Sequence, residues 1–210
     1  MRLELFYDVV SPWSYLCFEA LCRQRRAWQL DLVLRPAFLG GVMKATGNTP
    51  PASLPARGVY MLRDLARSSR YFDVPLTFPS EFPTNTLMVM RLLCVLRSEH
   101  PEVLEDVSRS FWRRYWGQGL SVNSDDDIAA VMREHHLDTA LQARLGDDDV
   151  KLGLRDATDV AVARGAFGFP AMFVRDDDGD DQLYFGSDRL ALLAFELGLP
   201  WHGPTAQGAS

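Results

Sequence analysis

The chain has 210 residues, of which 47% are hydrophobic and 24% are charged, and its formal net charge at pH 7 is -6. A chain of this length and composition can bury a large apolar core, which excludes a disordered protein, a collagen and a small disulfide scaffold. Because acidic proteins are repelled by phosphates and anionic lipids, we expect neither a nucleic acid nor a membrane as partner.

The three cysteines are Cys17, Cys22 and Cys94, and no two of them form a CxxC pair. This spacing excludes a zinc ribbon and a dithiol redox motif. Cys17 and Cys22 fall on different faces of one predicted helix, so we expect no disulfide and a reducing, intracellular compartment. A strand pattern begins at residue 2, and we therefore expect no secretion signal.

The start of the chain predicts a strand, a helix and a second strand. Residues 2–8 alternate as a strand does, Ser11 and Pro12 are a typical helix start, and 30–34 again predict a strand. A βαβ unit of this length implies two parallel strands. The stretch 37–58 is rich in Gly, Pro and small residues and predicts a loop with one helical turn.

The middle of the chain predicts helices alone. Their apolar periodicity places them at 58–71, 86–99, 101–117 and 124–145, the last with a break near His136. The segment 86–99 is apolar on nearly all sides and is interrupted by Arg91, so we expect a buried helix.

The end of the chain predicts a helix at 147–164, strands at 171–174 and 182–185, and a last helix that Ser187 and Asp188 cap. The turn between the strands falls at Asp178 and Gly179. Together with the opening βαβ unit, these elements predict an α/β, thioredoxin-like fold. Its domain would comprise 1–58 and 146–210, and 59–145 would be an inserted helical domain. In that fold, the proline directly before the third strand, Pro170, is cis.

The first candidate site is the loop that leads into the first helix. A thioredoxin-like fold places its redox CxxC pair here, and this chain has Ser11 and Ser14 at those two positions. Serine forms no disulfide, so oxidoreductase chemistry through this motif is excluded. A hydroxyl at the positive end of a helix dipole remains, and it suits an anion such as a ligand's thiolate. The alternative is that Ser11 only caps the helix.

Two later segments are further candidates. With a cis Pro170, the backbone of Phe169 would face outward beside Ser11 and pair with an extended peptide; the alternative is a simple helix terminator. At Ser187 and Asp188, free backbone N–H groups suit a carboxylate and the Asp188 side chain suits an ammonium, as in an α-amino acid head group. The alternative there is a plain capped helix.

Other patterns favour structure over chemistry. His135 and His136 lack the spacing of metal ligands, and the acidic runs 125–127, 147–149 and 176–178 lack that of an EF-hand, so we expect helix starts and a hairpin tip, and no metal. An aromatic group can line a pocket or pack in the core, and core packing is favoured; its members are Phe111, Trp112, Tyr115 and Trp116.

With these residues in view, the chain resembles the kappa-class glutathione transferases, which share a DsbA-like superfamily with the 2-hydroxychromene-2-carboxylate isomerases. The resemblance covers about 2–204. It rests on six ordered segments: 5–16, 41–48, 58–61, 165–170, 185–189 and 201–204. The first segment also resembles the glutathione-dependent isomerases, and the second and third favour the kappa class. The isomerase is the alternative function.

The resemblance implies a DsbA-like topology, a homodimer, and a detoxifying enzyme that activates the glutathione thiol as a thiolate for attack on a hydrophobic electrophile. It implies glutathione as substrate and no cofactor. Ser11 would be the catalytic hydroxyl. The implied glutathione contacts are Pro12, Trp13, Asn48, Arg57, Phe169, Pro170, Ser187 and Asp188, where Arg57 replaces a lysine of the relatives. Relatives imply the cytoplasm in a bacterium, and mitochondria or peroxisomes in a eukaryote.

Overall fold

The computed structural model describes residues 1–175, 179 and 181–205. Asp178 of the predicted turn, the acidic run 176–178 and the last residues of the predicted domain, 206–210, lie outside the described residues. The described part contains one four-stranded sheet in the order β2-β1-β3-β4. Its strands are β1 (Arg2–Tyr7), β2 (Asp31–Pro36), β3 (Ala171–Arg175) and β4 (Asp181–Phe185).

The sheet has the mixed topology of a thioredoxin-like fold. β1 and β2 are parallel, as the opening βαβ pattern predicted, while β3 runs antiparallel to both β1 and β4. Leu5 stands opposite Leu34 on one side and Met172 on the other. Because β1 has a partner on each side and its side chains are buried from Leu5 to Tyr7, it is the centre of the hydrophobic core.

Nine α-helices surround this sheet within the described residues. They are α1 (Pro12–Gln24), α2 (Leu39–Thr46), α3 (Pro55–Phe72), α4 (Leu87–Glu99), α5 (Leu104–Trp112), α6 (Asp125–Glu134), α7 (Ala140–Ala143), α8 (Asp148–Ala163) and α9 (Leu190–Glu196). No helix of the described part is long and apolar enough to span a membrane.

The stretch predicted as a loop is more helical than expected. It contains α2, a 3₁₀ turn at Pro51–Ser53 and the first turn of α3. A side chain at Gly41 would place its Cβ 2.9 Å from Thr158 Cγ2, so the glycine allows α2 to pack closely against α8. The same residue lowers local helix propensity, and tertiary packing therefore overrode the local signal.

The helices of the middle region follow the predicted order with altered ends. Residues 101–103 form a turn before α5, and Arg113–Gly117 continue α5 as a π-helical segment. The break near His136 is confirmed, because His136 has a φ of 53° between α6 and α7. The buried helix is confirmed as α4, whose seven buried residues include Leu92 and Leu93.

The helical middle region shares one core with the sheet, since α4 packs on both β2 and α8. The predicted domain boundary at 58/59 falls inside α3. The predicted boundary at 145/146 likewise falls inside a 3₁₀ turn, Arg144–Gly146, so we propose that the insertion begins before Pro55, where α3 starts, and ends after Gly146.

Candidate active site

Ser11 lies at the N-terminus of α1 and uses its hydroxyl in two directions. The oxygen accepts a hydrogen bond from the backbone N–H of Ser14 at 3.1 Å, which is the predicted N-cap. The hydroxyl also donates to the backbone oxygen of Phe169 at 3.1 Å. Ser11 is 4% exposed, so its hydroxyl is held between the two loops rather than free in solvent.

A buried carboxylate, Asp8, fixes the turn that carries Ser11. Asp8 follows β1 directly and has no exposed surface. Its Oδ1 accepts from Val10 N at 3.0 Å and from Thr86 Oγ1 at 2.7 Å, and its Oδ2 accepts from Leu39 N at 2.9 Å. The Ser11 N–H in turn donates to the Asp8 backbone oxygen at 3.1 Å. One side chain thus joins the starts of α1, α2 and α4.

The sequence analysis did not include Asp8 among the candidate site residues. The available signal was a carboxylate placed straight after a buried strand, where burial has to be compensated by hydrogen bonds. Burial raises the pKa of Asp8 above its ordinary value of 3.8, and the hydrogen bonds from Thr86, Leu39 and Val10 oppose that rise.

The loop before β3 lies against this turn. The Phe169–Pro170 peptide bond is cis, the isomer that the sequence order predicted. The Pro170 oxygen accepts from Gly186 N at 3.0 Å, which brings the Gly186–Arg189 segment to the same edge of the sheet. Asn48, just beyond α2, donates from Nδ2 to the Phe167 oxygen at 2.7 Å. The structure therefore brings the three predicted segments and Asn48 together.

The last of these segments differs from its prediction. Ser187 is not an N-cap: Ser187–Arg189 form a 3₁₀ turn, Gly186 precedes it, and α9 begins only at Leu190. Gly186 has a φ of 97°, and a Cβ on it would lie 2.5 Å from Asp188 Oδ1. A glycine lets the chain reverse here and lets the Asp188 carboxylate fold back over the backbone. Ser187 is buried, whereas the Asp188 side chain is 71% exposed.

The remaining predicted contacts differ in their placement. Pro12 is buried in the first turn of α1, and Trp13 beside it is half-buried against the core. Arg57 is exposed in the first turn of α3. Within the described residues, the Arg57 side chain has no hydrogen bond or ion pair.

The chain's own thiols are poor nucleophiles. All three cysteines are free, and burial raises the pKa of Cys22 and of Cys94 to about 12. Burial also raises the pKa of Cys17. A thiol reacts as its thiolate, and a pKa this far above neutral keeps Cys22 and Cys94 protonated at pH 7, while the raised pKa of Cys17 disfavours its thiolate. A reactive thiol at Ser11 would have to come with a ligand.

Comparison with known proteins agrees with this geometry. The family model described as a DSBA-like thioredoxin domain matches residues 2–198. The chain is 41% identical to glutathione S-transferase kappa 1 of Rattus norvegicus over 96% of this chain and 93% of that protein. The chain belongs to the kappa class of glutathione transferases.

Isomerase relatives of this kappa-class chain are more distant. It is 28% identical to 2-hydroxychromene-2-carboxylate isomerase of Sphingobium xenophagum, over 91% of this chain and 95% of that protein. A solved structure of a 2-hydroxychromene-2-carboxylate isomerase aligns with a TM-score of 0.83 at 24% identity, covering 94% and 95% of the two chains. That likeness shows a shared fold.

One aromatic side chain of the kappa-class chain, Trp116, lies against the turn that carries Ser11, and two further rings pack on it. The Trp116 indole N–H donates to the Val9 oxygen at 3.1 Å. The rings of Phe78 and Phe82 pack edge-on to Trp116 at 5.8 and 5.5 Å between centroids, and Phe78 is 44% exposed. The four aromatic residues predicted to pack in the core are all buried; they are Phe111, Trp112, Tyr115 and Trp116.

The predicted helix starts account for two of the acidic runs. Asp127 forms a capping box with Ser124 at the start of α6, and Asp148 and Asp149 lie in the first turn of α8. Among the described residues, no group of three or more His, Cys, Asp or Glu side chains converges as metal ligands would.

Proposed function

We propose that this kappa-class protein binds glutathione at the Ser11 edge of the sheet and transfers it to a hydrophobic electrophile. The observation that carries the proposal is the Ser11 hydroxyl, fixed at the N-terminus of α1 beside Phe169, in a site where the chain itself offers no ionised thiol. The catalytic residue would be Ser11, and Asp8 would be a positioning residue.

Glutathione would bind in an extended conformation across the segments that meet there. Its cysteinyl backbone would pair with Phe169 and Pro170, and its γ-glutamyl carboxylate would meet the N–H groups at the start of the 3₁₀ turn, which the turn itself leaves unused. The ligand ammonium would face Asp188, and Asn48 would support the loop from Phe167. The remaining proposed contacts are Pro12, Trp13, Arg57 and Ser187.

The hydrogen bond seen at Ser11 limits how far the thiol pKa can fall. To donate to sulfur, the hydroxyl has to leave Phe169, so a charge-assisted bond of about 1.5–3 kcal/mol replaces a neutral one of about 0.5–1.5 kcal/mol. The helix N-terminus adds about 0.3–1 kcal/mol. Since one pKa unit is about 1.4 kcal/mol, we expect a fall of about 1–2 units from about 8.5.

The reaction then needs no base from the protein. Bound glutathione loses its thiol proton to water, and the thiolate sulfur forms a bond to the electrophilic carbon. The leaving group departs with the electron pair of the bond that breaks. The exposed Phe78 ring, which packs on Phe82 and on the buried Trp116, supports an aromatic or other apolar electrophile.

Binding is tested by thermal or chemical unfolding in the presence of glutathione. At 100 times its dissociation constant, glutathione should add about 2.7 kcal/mol to the free energy of unfolding. S-methylglutathione, which cannot form a thiolate, is the matched ligand and should stabilise similarly. No stabilisation by either ligand at millimolar concentration would contradict the proposal.

Turnover separates the transferase from the isomerase. With 1-chloro-2,4-dinitrobenzene as electrophile, the transferase should consume glutathione and release chloride in equal amounts. The isomerase alternative predicts that a 2-hydroxychromene-2-carboxylate is converted while glutathione is recovered unchanged, and no conjugate forms.

We also propose that the protein is a homodimer in a reducing intracellular compartment. An exposed apolar strip on α3 supports the dimer, since Val59, Tyr60 and Leu62 are 49–59% exposed. Light scattering after gel filtration should give twice the chain mass, and Tyr60→Glu should lower it to that of one chain. The three free cysteines support the reducing compartment, which fractionation of the source cells tests.

A further inference from the structure

A second pocket lies between α2, α4 and α8, and none of the residues proposed for glutathione lines it. Its volume is about 270 Å³, slightly below the range usual for drug-sized ligands. Phe38, Leu87 and Leu154 form an apolar wall, and three cations line the same pocket: Arg91, Lys151 and Arg155.

Arg91 is the unusual member of this group. It interrupts the otherwise apolar helix α4 and is half-buried. Its Nη1 donates to the Leu145 oxygen at 3.1 Å, but its Nε is buried without a hydrogen-bond partner. Within the described residues, Arg91 forms no ion pair with a carboxylate. Besides the buried Nε, the Nη2 of this pocket-lining arginine has no hydrogen bond to a described residue, so the guanidinium can still take an acceptor.

The neighbouring charges favour an anion in that position. The pocket lining includes three cations and one carboxylate, Asp159, which lies 3.7 Å from Arg155 Nε. Lys151 pairs with Asp148 at 2.9 Å, but both side chains are exposed, and such pairs are weak and readily exchanged. This local excess of positive charge stands out in a chain with a net charge of -6.

Neutral polar groups add little to the site. The Thr158 hydroxyl accepts from Phe38 N at 3.0 Å and donates its one hydrogen to the Leu154 oxygen at 2.7 Å, so it has no donor left for an anion. Recognition therefore depends on charge at one end and apolar contact at the other. The Nη1 of Arg91 is already used, by the Leu145 oxygen and by Met88 Sδ at 3.4 Å, so Nη2 is the donor that can form a charge-assisted hydrogen bond with a carboxylate.

We propose that this pocket binds a small organic carboxylate with an apolar body, its carboxylate on Arg91 and its body against Phe38, Leu87 and Leu154. Lys151 and Arg155 would add attraction from the rim without fixing the geometry. The proposal is independent of the chemistry at Ser11, because the two sites share no proposed residue.

Titration calorimetry with 1-naphthoate tests the proposal, with neutral 1-naphthalenemethanol as the matched probe. We expect the carboxylate to bind at least about tenfold more tightly than the alcohol, and Arg91→Gln to remove that difference. Arg63→Gln, an exposed arginine on α3, is the control and should leave binding unchanged. Saturating S-methylglutathione should not displace 1-naphthoate.

A second variant covers the case in which Arg91→Gln fails to fold. The double variant Lys151→Gln with Arg155→Gln changes only exposed side chains and should weaken 1-naphthoate severalfold, with a loss that shrinks as salt is added. Three results would overturn the proposal: no binding of 1-naphthoate at millimolar concentration, equal affinity for the alcohol, or displacement by S-methylglutathione.

Discussion

Two helix starts meet at the candidate active site, and they are built in opposite ways. At the start of α1, Ser11 is 4% exposed and its hydroxyl, its N–H and the neighbouring Asp8 are all held by buried hydrogen bonds. At the last turn, Gly186 replaces a side-chain cap and the Asp188 side chain is 71% exposed. The end proposed for the reaction is thus fixed before a ligand arrives, while the end proposed for anchoring the ligand is open to solvent.

This difference has a physical purpose under the proposed function. A hydrogen bond that stabilises developing charge acts best when its donor atom is already positioned; the Ser11 oxygen is held by Ser14 N, and only its hydrogen has to turn from Phe169 to the ligand. An anchoring group needs only to attract the ligand, and an exposed carboxylate does so weakly and reversibly. Substitutions at the two ends should therefore differ in size and in kind.

The largest effect is expected at Asp8. Asp8→Asn places an amide NH₂ where an oxygen now accepts from Leu39 N or from Thr86, and leaving a buried donor unsatisfied costs about 1–3 kcal/mol. We expect the free energy of unfolding to fall by that amount and the transferase rate to fall with it. Chemical denaturation and the chlorodinitrobenzene assay measure the two quantities, and Asp156→Asn, an exposed aspartate on α8, is the control.

The pH dependence of the unfolding free energy, compared between the wild type and Asp8→Asn, tests whether the pKa of Asp8 is raised or lowered. Burial raises the pKa of Asp8 above 3.8, so the folded protein binds the proton more tightly than the unfolded chain does. This preference stabilises the fold below pH 3.8, and the stabilisation is lost as the pH rises through the pKa of the folded protein. The difference in unfolding free energy between the wild type and Asp8→Asn should therefore shrink from pH 4 towards pH 7. A difference that grows with pH would show that the three hydrogen bonds outweigh burial.

Ser11→Ala comes next and should separate capping from catalysis. Loss of the cap should lower the free energy of unfolding by about 0.5–2 kcal/mol. Loss of the thiolate's donor should raise the pKa of bound glutathione by about 1 unit and lower the rate at neutral pH about tenfold. Ultraviolet titration of the bound thiolate measures the pKa. An unchanged pKa and rate would leave Ser11 a cap alone.

A smaller effect is expected at Asp188. Its carboxylate is mostly exposed, so its attraction for the ligand ammonium is screened by water. Asp188→Ala should weaken glutathione binding by about two- to fivefold, leaving the thiolate pKa and the unfolding free energy nearly unchanged. Titration calorimetry measures the affinity; Asp156→Ala on the exposed surface of α8 is the control.

The smallest effect belongs to Ser14, the second serine of the motif. Its Oγ is buried without a hydrogen-bond partner, in contrast to that of Ser11. Ser14→Ala removes an unsatisfied group and should change the unfolding free energy by no more than about 0.5 kcal/mol, with unchanged turnover. A large loss of activity in this variant would mean that Ser14, rather than Ser11, serves the ligand.

The sequence alone determined the parts of this protein that depend on neighbouring residues. Alternation in the first strand, the Ser11–Pro12 helix start and the buried pattern of α4 each carry their signal within a few residues, and the structure confirms them. Serine at positions 11 and 14 excludes a disulfide on chemical grounds, because a hydroxyl cannot replace a thiol in that bond. The ordered motifs likewise indicated the kappa class, which the 41% identical rat relative confirms.

Tertiary structure alone decided what depends on contacts between distant segments. The bonds of Asp8 reach residues 31 and 78 positions away, so no local pattern could show that it joins three helix starts. α2 forms in a glycine-rich stretch because Gly41 allows close packing on Thr158, and Ser187 enters a 3₁₀ turn because Gly186 adopts a positive φ. In each case a long-range contact or a backbone angle outweighed the local preference, and only the folded chain contains that information.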